Sequence, residues 1–347
     1  MGNKEKYEKF RNDILNFSDQ LNFAGVDFLN IGKIKKNKYD ALVVLGMGGS
    51  GLVGNILRAV KKDIHLNVPI ISYKDYGLPD IYHKNPFYLI VSFSGNTEET
   101  LSGLNEAVKN KKSLAVVAGG GELKKRAEVL KLPLAVFSPA GSPAQTGLTP
   151  RQSIGKMSYI SFKLLKSAFP SLKLPDHSLD RKSASEISLS PESFESLGRE
   201  IAERIKNCVV VVYTDESSQD LGYIWKINLN ETAKIKAFSN VLPEMSHNEI
   251  GGFEINNKNT AAIFLESIYK TGKYQKNISK KISLVKKVLK NYGVRVIEVK
   301  WKGKTSMEKL WESIILSAWV SYYSAKENKV DPYKTEIIEN LKKLMKK

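Results

Sequence analysis

Three hydroxyls are packed into the six residues Ser92 to Thr97, SFSGNT, where the β-branched run FYLIV gives way to helical spacing. Ser92, Ser94 and Thr97 can each donate to an anion's oxygens, and the amides of a first helical turn add further donors, a combination suited to phosphate. The same residues also fit a plain helix start, with Ser94 and Thr97 as caps ahead of Glu98 and Glu99. Residue types alone leave both readings open. A second candidate precedes this one. VLGMGGSGLVGNIL, Val44 to Leu57, carries Gly46, Gly48 and Gly51 in the G-x-G-x-x-G spacing of a dinucleotide loop. That fold needs an acid at the end of the next strand to hold the ribose. The strand VPIIS ends instead in Ser72 and Tyr73, with Asp75 beyond, which weakens the dinucleotide reading. No Lys-Ser or Lys-Thr follows the glycines, so a P-loop fails too. A backbone-lined turn with Ser50 remains, suited to an anion or a polar ligand.

Three titratable residues stand where local stability does not explain them. Arg151, in TPRQSIG, sits near the start of a helical stretch, where the dipole disfavours a cation. Glu231, in NLNETAKIKAF, sits near a helix end, where it disfavours an anion. His247 lies between Ser246 and Asn248 in a polar, glycine-bounded turn, and its imidazole titrates near neutrality. These are the groups that proton transfer and enediolate stabilisation require. Each also has a plain reading, as a surface arginine paired with a carboxylate or a solvated glutamate. Glu249 either orients His247 or simply closes the turn. His65, His83, His177 and the single cysteine, Cys208, show no ligand spacing, so neither a metal site nor a cofactor is expected.

Positioning these groups requires a layered scaffold. ALVVLG, VPIIS, FYLIVSFS, SLAVVAG and LPLAVFS read as strands buried on both faces, separated by amphipathic helical stretches. A long helix is expected over about 149–168, with Met157, Ile160, Leu164 and Leu165 on its apolar side. A second set follows: CVVVVYT, IKAFSN, TAAIFLES and VRVIEVK, interleaved with helices over 217–231, 274–290 and 306–326. The fold class is α/β, as two domains, each a parallel sheet flanked by helices. The expected boundaries are an N-terminal helical segment over 1–39, a first domain over 40–170, a linker rich in Pro, Ser and charge over 171–190, and a second domain over 191–347.

With 347 residues, 42% of them hydrophobic and 26% charged, the chain can bury two ordinary cores. Its start, MGNKEKYEKFRNDIL, is too charged for a signal peptide, and SIILSAWVSYYSA is too short and hydroxylated to span a bilayer. A cytoplasmic protein without membrane partners is expected, with Cys208 as a small buried hydrophobe. A net charge of +18 invites a nucleic-acid reading. The cations are mostly lysines, spread out and interleaved with acids, so a solvated surface is preferred and no nucleic-acid partner is expected.

GMGGSG, SFSGNTEET, TPRQSIG, NETAK, SHNEIGGFE and DPYKTEIIENLK, in this order, resemble the bifunctional phosphoglucose/phosphomannose isomerases built on sugar isomerase (SIS) domains. The resemblance runs from about Gly46 to Lys342. It implies an isomerase that interconverts glucose 6-phosphate, mannose 6-phosphate or both with fructose 6-phosphate through a cis-enediol. By the same resemblance, Ser92, Ser94 and Thr97 bind the sugar phosphate and Gly49 and Ser50 contact the sugar. Arg151 steadies the enediolate and Glu231 shuttles the proton between C1 and C2. His247 opens the ring, reaching the site from a partner subunit in a homodimer. Lys342 assists at the C1 hydroxyl, and Thr335 leaves room for either epimer. Gly51 departs from the family pattern, which has alanine there. The alternatives are a non-catalytic SIS sensor of sugar phosphates and, more weakly, an NAD-dependent dehydrogenase.

Overall fold

The computed structural model describes residues 3–137, 148–174, 190–255, 257–269 and 273–345. The stretch read as a linker, 171–190, lies outside them except for residues 171–174 and 190. By their contacts the residues divide into two units, one of Asn16–Ser188 and one joining Met1–Leu15 to Leu189–Lys347. The N-terminal segment is thus shared: α1 (Asn3–Leu15) clusters with the C-terminal half, while the strand β1 (Val26–Leu29) joins the first sheet.

The first unit holds β2 (Ala41–Leu45), α2 (Gly48–Val60), β3 (Ile70–Tyr73), β4 (Pro86–Ser92), α3 (Glu98–Lys109), β5 (Ser113–Ala118), α4 (Gly121–Val129), β6 (Leu134–Phe137) and α5 (Ile154–Ala168). Its sheet runs β1-β6-β5-β4-β2-β3. β2 and β4 are buried along their whole length, as their unbroken apolar runs require of strands covered on both faces. Every pairing from β6 to β3 is parallel. The expectation of a wholly parallel sheet is corrected at its edge, where β1 runs antiparallel to β6, with Val26 opposite Phe137 and Leu29 opposite Leu134. Four residues that alternate half-buried and exposed, with Asp27 among the exposed ones, make a short strand that blunts the open edge of β6.

The second unit holds α6 (Glu195–Arg204), β7 (Val209–Asp215), α7 (Gln219–Glu231), β8 (Ala237–Leu242), β9 (Thr260–Leu265), α8 (Gln275–Asn291), β10 (Arg295–Val299), α9 (Ser306–Glu327) and α10 (Glu336–Met345). Its sheet, β10-β9-β7-β8, is parallel throughout. With β7, β8, β9 and β10 matched to β2, β3, β4 and β5, the strand order is that of the first sheet. The apolar run SIILSAWVSYYSA lies in α9, started by a capping box between Thr305 and Glu308. Two of its serines and its indole are used internally: Trp225 Nε1 donates to Ser313 Oγ at 2.9 Å, Asn228 to Ser317 at 2.7 Å, and Trp319 Nε1 to the Pro191 carbonyl at 2.7 Å. Among the described residues no helix is long and apolar enough to cross a membrane.

α1 packs on α9 through Phe10, which is 2% exposed, stacks on Tyr322 and meets Tyr333 edge-on at 5.2 Å. Arg11 adds a two-pronged contact to Glu195, at 3.0 and 2.7 Å. Phe10→Ala is expected to lower the stability of this unit by about 3 kcal/mol, the cost of emptying an aromatic site. Denaturant unfolding followed by tryptophan fluorescence checks this, and a loss below about 1 kcal/mol would remove α1 from this core.

Candidate functional site

In the first sheet the chain reverses direction of winding between β2 and β4, so their carboxyl ends flank an open crevice, the usual ligand position in such sheets. Both sequence candidates come to this crevice. The loop Gly46–Gly51 leaves β2 and enters α2, and the turn Ser92–Thr97 leaves β4 and enters α3. They are tied together, because the Phe93 amide donates to Ser50 Oγ at 2.9 Å. The Gly95 amide donates to buried Ser92 Oγ at 3.0 Å, which curls the turn.

Thr97 holds the N-cap position of α3, yet its hydroxyl makes no capping bond and faces Ser92 Oγ at 3.3 Å. Ser94 is exposed, and its oxygen accepts from the Asn96 amide at 3.3 Å. Hydroxyls and first-turn amides are thus presented together at a helix start, the arrangement that suits a phosphate. The expected acid of a dinucleotide fold is missing in space as well as in sequence. Asp75 accepts from the Tyr76 amide at 2.7 Å within its own turn, and Lys74, beyond the end of β3, reaches Asn55 on α2 at 3.2 Å.

Arg151 joins this group through the backbone. It is 6% exposed and lies in a turn ahead of α5, which begins at Ile154, later than the sequence suggests. A methyl group added at Gly49 would sit 2.5 Å from the Arg151 amide nitrogen, so the glycine permits the two segments to touch. Gly49, Ser50, Ser92, Ser94, Thr97 and Arg151 are thus assembled within one unit.

The other candidates lie in the second unit and form two groups. α7 runs back from the end of β7, so Glu231 at its last turn sits by the start of β8, where Asn230 donates to the Ile235 and Ala237 carbonyls at 2.9 and 3.2 Å. Lys234 bridges from this turn to the segment before α10, donating to the Glu231 carbonyl at 2.5 Å and the Asp331 carbonyl at 2.9 Å. Thr335 and Lys342 follow on that segment and on α10, two turns apart along an exposed helix. Burial, and secondarily the Glu231 charge, raises the phenol of Tyr223.

His247 is at the other end of the sheet. It closes the 3-10 turn Glu244–His247 that follows β8, so the six residues of β8, roughly 20 Å, separate it from Glu231. Its side chain is exposed and its Nε2 lies 3.3 Å from Lys281 Nζ on α8, a neighbour the sequence does not announce. Glu249 turns to the sheet: its two carboxylate oxygens accept hydrogen bonds from Tyr213 and Asn240.

The second unit repeats the hydrogen bonds of the first unit's crevice with different surroundings. The Ile268 amide donates to Ser218 Oγ at 3.1 Å and the Tyr269 amide to Ser267 Oγ at 3.2 Å, matching Phe93 with Ser50 and Gly95 with Ser92. Where the first unit has a glycine loop, this one has buried Asp215, which accepts from Ser217 Oγ at 3.0 Å. A carboxylate there disfavours a phosphate, whereas no carboxylate stands at the matching loop of the first unit, Gly46–Gly51.

A cleft of about 350 Å³ opens at the opposite edge of the second sheet, lined by Lys206, Cys208, Lys234, Lys236 and Glu327 among others. Two of its cations are engaged structurally: Lys206 pairs with Glu327 at 2.6 Å and Lys234 donates to the Glu231 carbonyl at the end of α7. Cys208 forms part of its floor, buried, with its thiol pushed up by burial.

Gly51 has a structural role in this loop. A methyl group there would lie 2.5 Å from the Gly46 carbonyl oxygen and 3.3 Å from Lys74 Cε, so alanine forces the loop open. Gly51→Ala is expected to cost about 1–3 kcal/mol of stability. Thermal melts check it, and an unchanged melt would show that the loop relaxes freely.

Residues 194–345 match the family described as bacterial phospho-glucose isomerase C-terminal SIS domain. A bifunctional phosphoglucose/phosphomannose isomerase from Aquifex aeolicus is 30% identical over 317 residues, covering 89% of this chain and 91% of that protein. One from Thermoplasma volcanium is 29% identical over 336 residues, 96% and 99% of the two chains. The crystal structure of tagatose-6-phosphate ketose/aldose isomerase from Escherichia coli shares the fold, with a TM-score of 0.64 at 12% identity over 94% of this chain and 93% of that one. Taken with the hydroxyl-lined crevice, these likenesses mean that the chain belongs to the SIS-domain phosphosugar isomerase family, related to the bifunctional phosphoglucose/phosphomannose isomerases.

Proposed function

We propose that the protein is a cofactor-independent aldose–ketose isomerase interconverting glucose 6-phosphate, mannose 6-phosphate or both with fructose 6-phosphate. The observation that carries this reading is the crevice between β2 and β4. There the Ser92, Ser94 and Thr97 hydroxyls meet the amides of α3, beside Ser50 and a buried arginine. Family membership supports the substrate class, since the Aquifex and Thermoplasma relatives carry both activities in their names.

On this reading the phosphate sits on the Ser92–Thr97 turn, and Gly49 and Ser50 line the sugar. His247 gives a proton to the ring oxygen while Lys342 helps remove the one on the C1 hydroxyl, which opens the ring to the aldehyde. Glu231 then takes the proton from C2. The electron pair becomes the C1–C2 double bond, and the charge that develops on the oxygens faces the Arg151 guanidinium. Movement of the O2 hydroxyl proton to O1, with return of the carbon-bound proton to C1, leaves a ketone at C2 and a hydroxyl at C1. Thr335 gives the space around C2 that lets either epimer enter.

The separation of Glu231 from His247 along β8 supports a homodimer in which His247 serves the partner's substrate. One copy cannot bring both side chains to one hexose phosphate across roughly 20 Å. Cytoplasmic action on a soluble metabolite fits this scheme.

A coupled assay of fructose 6-phosphate conversion, read for both aldose products, tests the function. Glu231→Gln is expected to lower kcat on both sugars at least about 100-fold, the usual weight of a positioned base. Retention of most of the activity sinks the assignment, and binding of fructose 6-phosphate without any turnover by the unaltered protein would favour a sensor. Mixing and reassembling Glu231→Gln with His247→Asn should restore up to about a quarter of wild-type activity, since one site of each mixed dimer is intact. No recovery on mixing would show that each copy uses its own histidine.

A further inference from the structure

We propose that Glu249 is a positioning residue for His247, acting through a clamp on Tyr213 and Asn240 that sets where the imidazole is presented. This role rests on the reading that His247 opens the sugar ring. His247 ends a 3-10 turn, Glu244–His247, and a second one, Glu249–Phe253, follows at once. Short 3-10 segments hold themselves weakly and take their geometry from what they touch.

Two kinds of contact fix this pair of turns. Met245, fully buried, and Phe253, 8% exposed, enter the apolar cluster of Tyr213, Leu242 and Val285 and set how deep the turns sit. Apolar contacts are non-directional, so they leave rotation of the turns weakly defined. Glu249 supplies direction. Its Oε1 accepts from the Tyr213 hydroxyl and its Oε2 from the Asn240 amide, and those two donors are register partners on the paired strands β7 and β8. One carboxylate bridging two neighbouring strands cannot turn without breaking a bond, so the backbone two residues from His247 is locked to the sheet.

The local chain carries the lock back to the histidine. Asn248, between the two, accepts from the Glu249 amide at 2.5 Å and donates to Glu244 at 2.6 Å, which closes the loop around His247. Tyr213 is fully buried, and its phenol is held far above the usual tyrosine range by burial first and by Glu249 second, so it remains a proton donor to the clamp at all working pH values. Among the described residues no cation is paired with Glu249, which leaves the two neutral donors as its partners.

Glu249→Gln tests this, because it keeps the shape and sets an amide nitrogen against one of the two donors. Expected is a fall in kcat of about 10- to 100-fold for fructose 6-phosphate, the scale of a misplaced catalytic group, with KM changed less than twofold. In a His247→Asn background the same substitution should cause no further loss, since a group that acts through His247 has nothing left to position. Tyr213→Phe, which keeps the buried ring, should give a smaller loss of the same kind and serves if Glu249→Gln does not fold. Unchanged kcat in Glu249→Gln where His247→Asn is inactive overturns the role, as do losses that multiply in the double variant. Full activity of His247→Asn would overturn the assignment of His247, and the role of Glu249 with it.

Discussion

A single hydrogen bond, from the Phe93 amide to Ser50 Oγ at 2.9 Å, joins the two strand ends between which the candidate site lies. Without it the glycine loop after β2 and the hydroxyl turn after β4 would be separate surface turns. With it, the first turns of α2 and α3 converge on one space, and their unpaired amides add to one field. The glycines follow from this constraint. Gly49 lets the loop lie against the backbone of Arg151, and Gly51 lets it fold back on the Gly46 carbonyl. The backbone of Arg151, from a segment 100 residues further on, is thereby brought against the same loop.

Repetition of this bond in the second unit shows what is architecture and what is chemistry. Ser218 and Ile268 reproduce Ser50 and Phe93, so the latch belongs to the way such sheets close their crevice. Only the first unit surrounds it with glycines and free-facing hydroxyls. The second puts Asp215 there, and its own polar groups satisfy one another through Ser217 and Ser267. One scaffold thus appears twice with different residues around the same latch.

Much of this was legible in the sequence because it is written in local patterns. Unbroken apolar runs mark β2 and β4 as central, and SFSGNT and GMGGSG mark the strand-to-helix turns. What escaped has a non-local cause. β1 is four residues with a charged member, and only the open edge of β6 gives it a partner. α1 has ordinary helical spacing that does not say which half of the chain it joins; Phe10 against Tyr322 decides that across more than 300 residues. Glu249 had two readings beside His247, and neither included Tyr213, which lies 36 residues earlier and meets it only because β7 and β8 are neighbours. The constraint on Gly51 was not legible either, because the carbonyl that crowds a side chain there is five residues back and meets it only in the folded loop.

The placement of the remaining candidates follows from the geometry of parallel sheets. A helix that returns the chain between parallel strands must start at their carboxyl edge and end at their amino edge. Glu231, at the end of α7, is therefore committed to one edge, and any residue in the turn after β8 to the other. Lys234 then draws the segment carrying Thr335 towards Glu231, and the Tyr213–Glu249–Asn240 clamp fixes His247 where the opposite edge faces outward. An acid–base pair split in this way within one unit cannot close on a small molecule by side-chain motion, because the strand between them is rigid and buried on its paired side. On the proposed reading, in which His247 serves a second copy's substrate, its anchoring matters more, since a group that meets a site on another molecule has no local contact with that site to correct its aim.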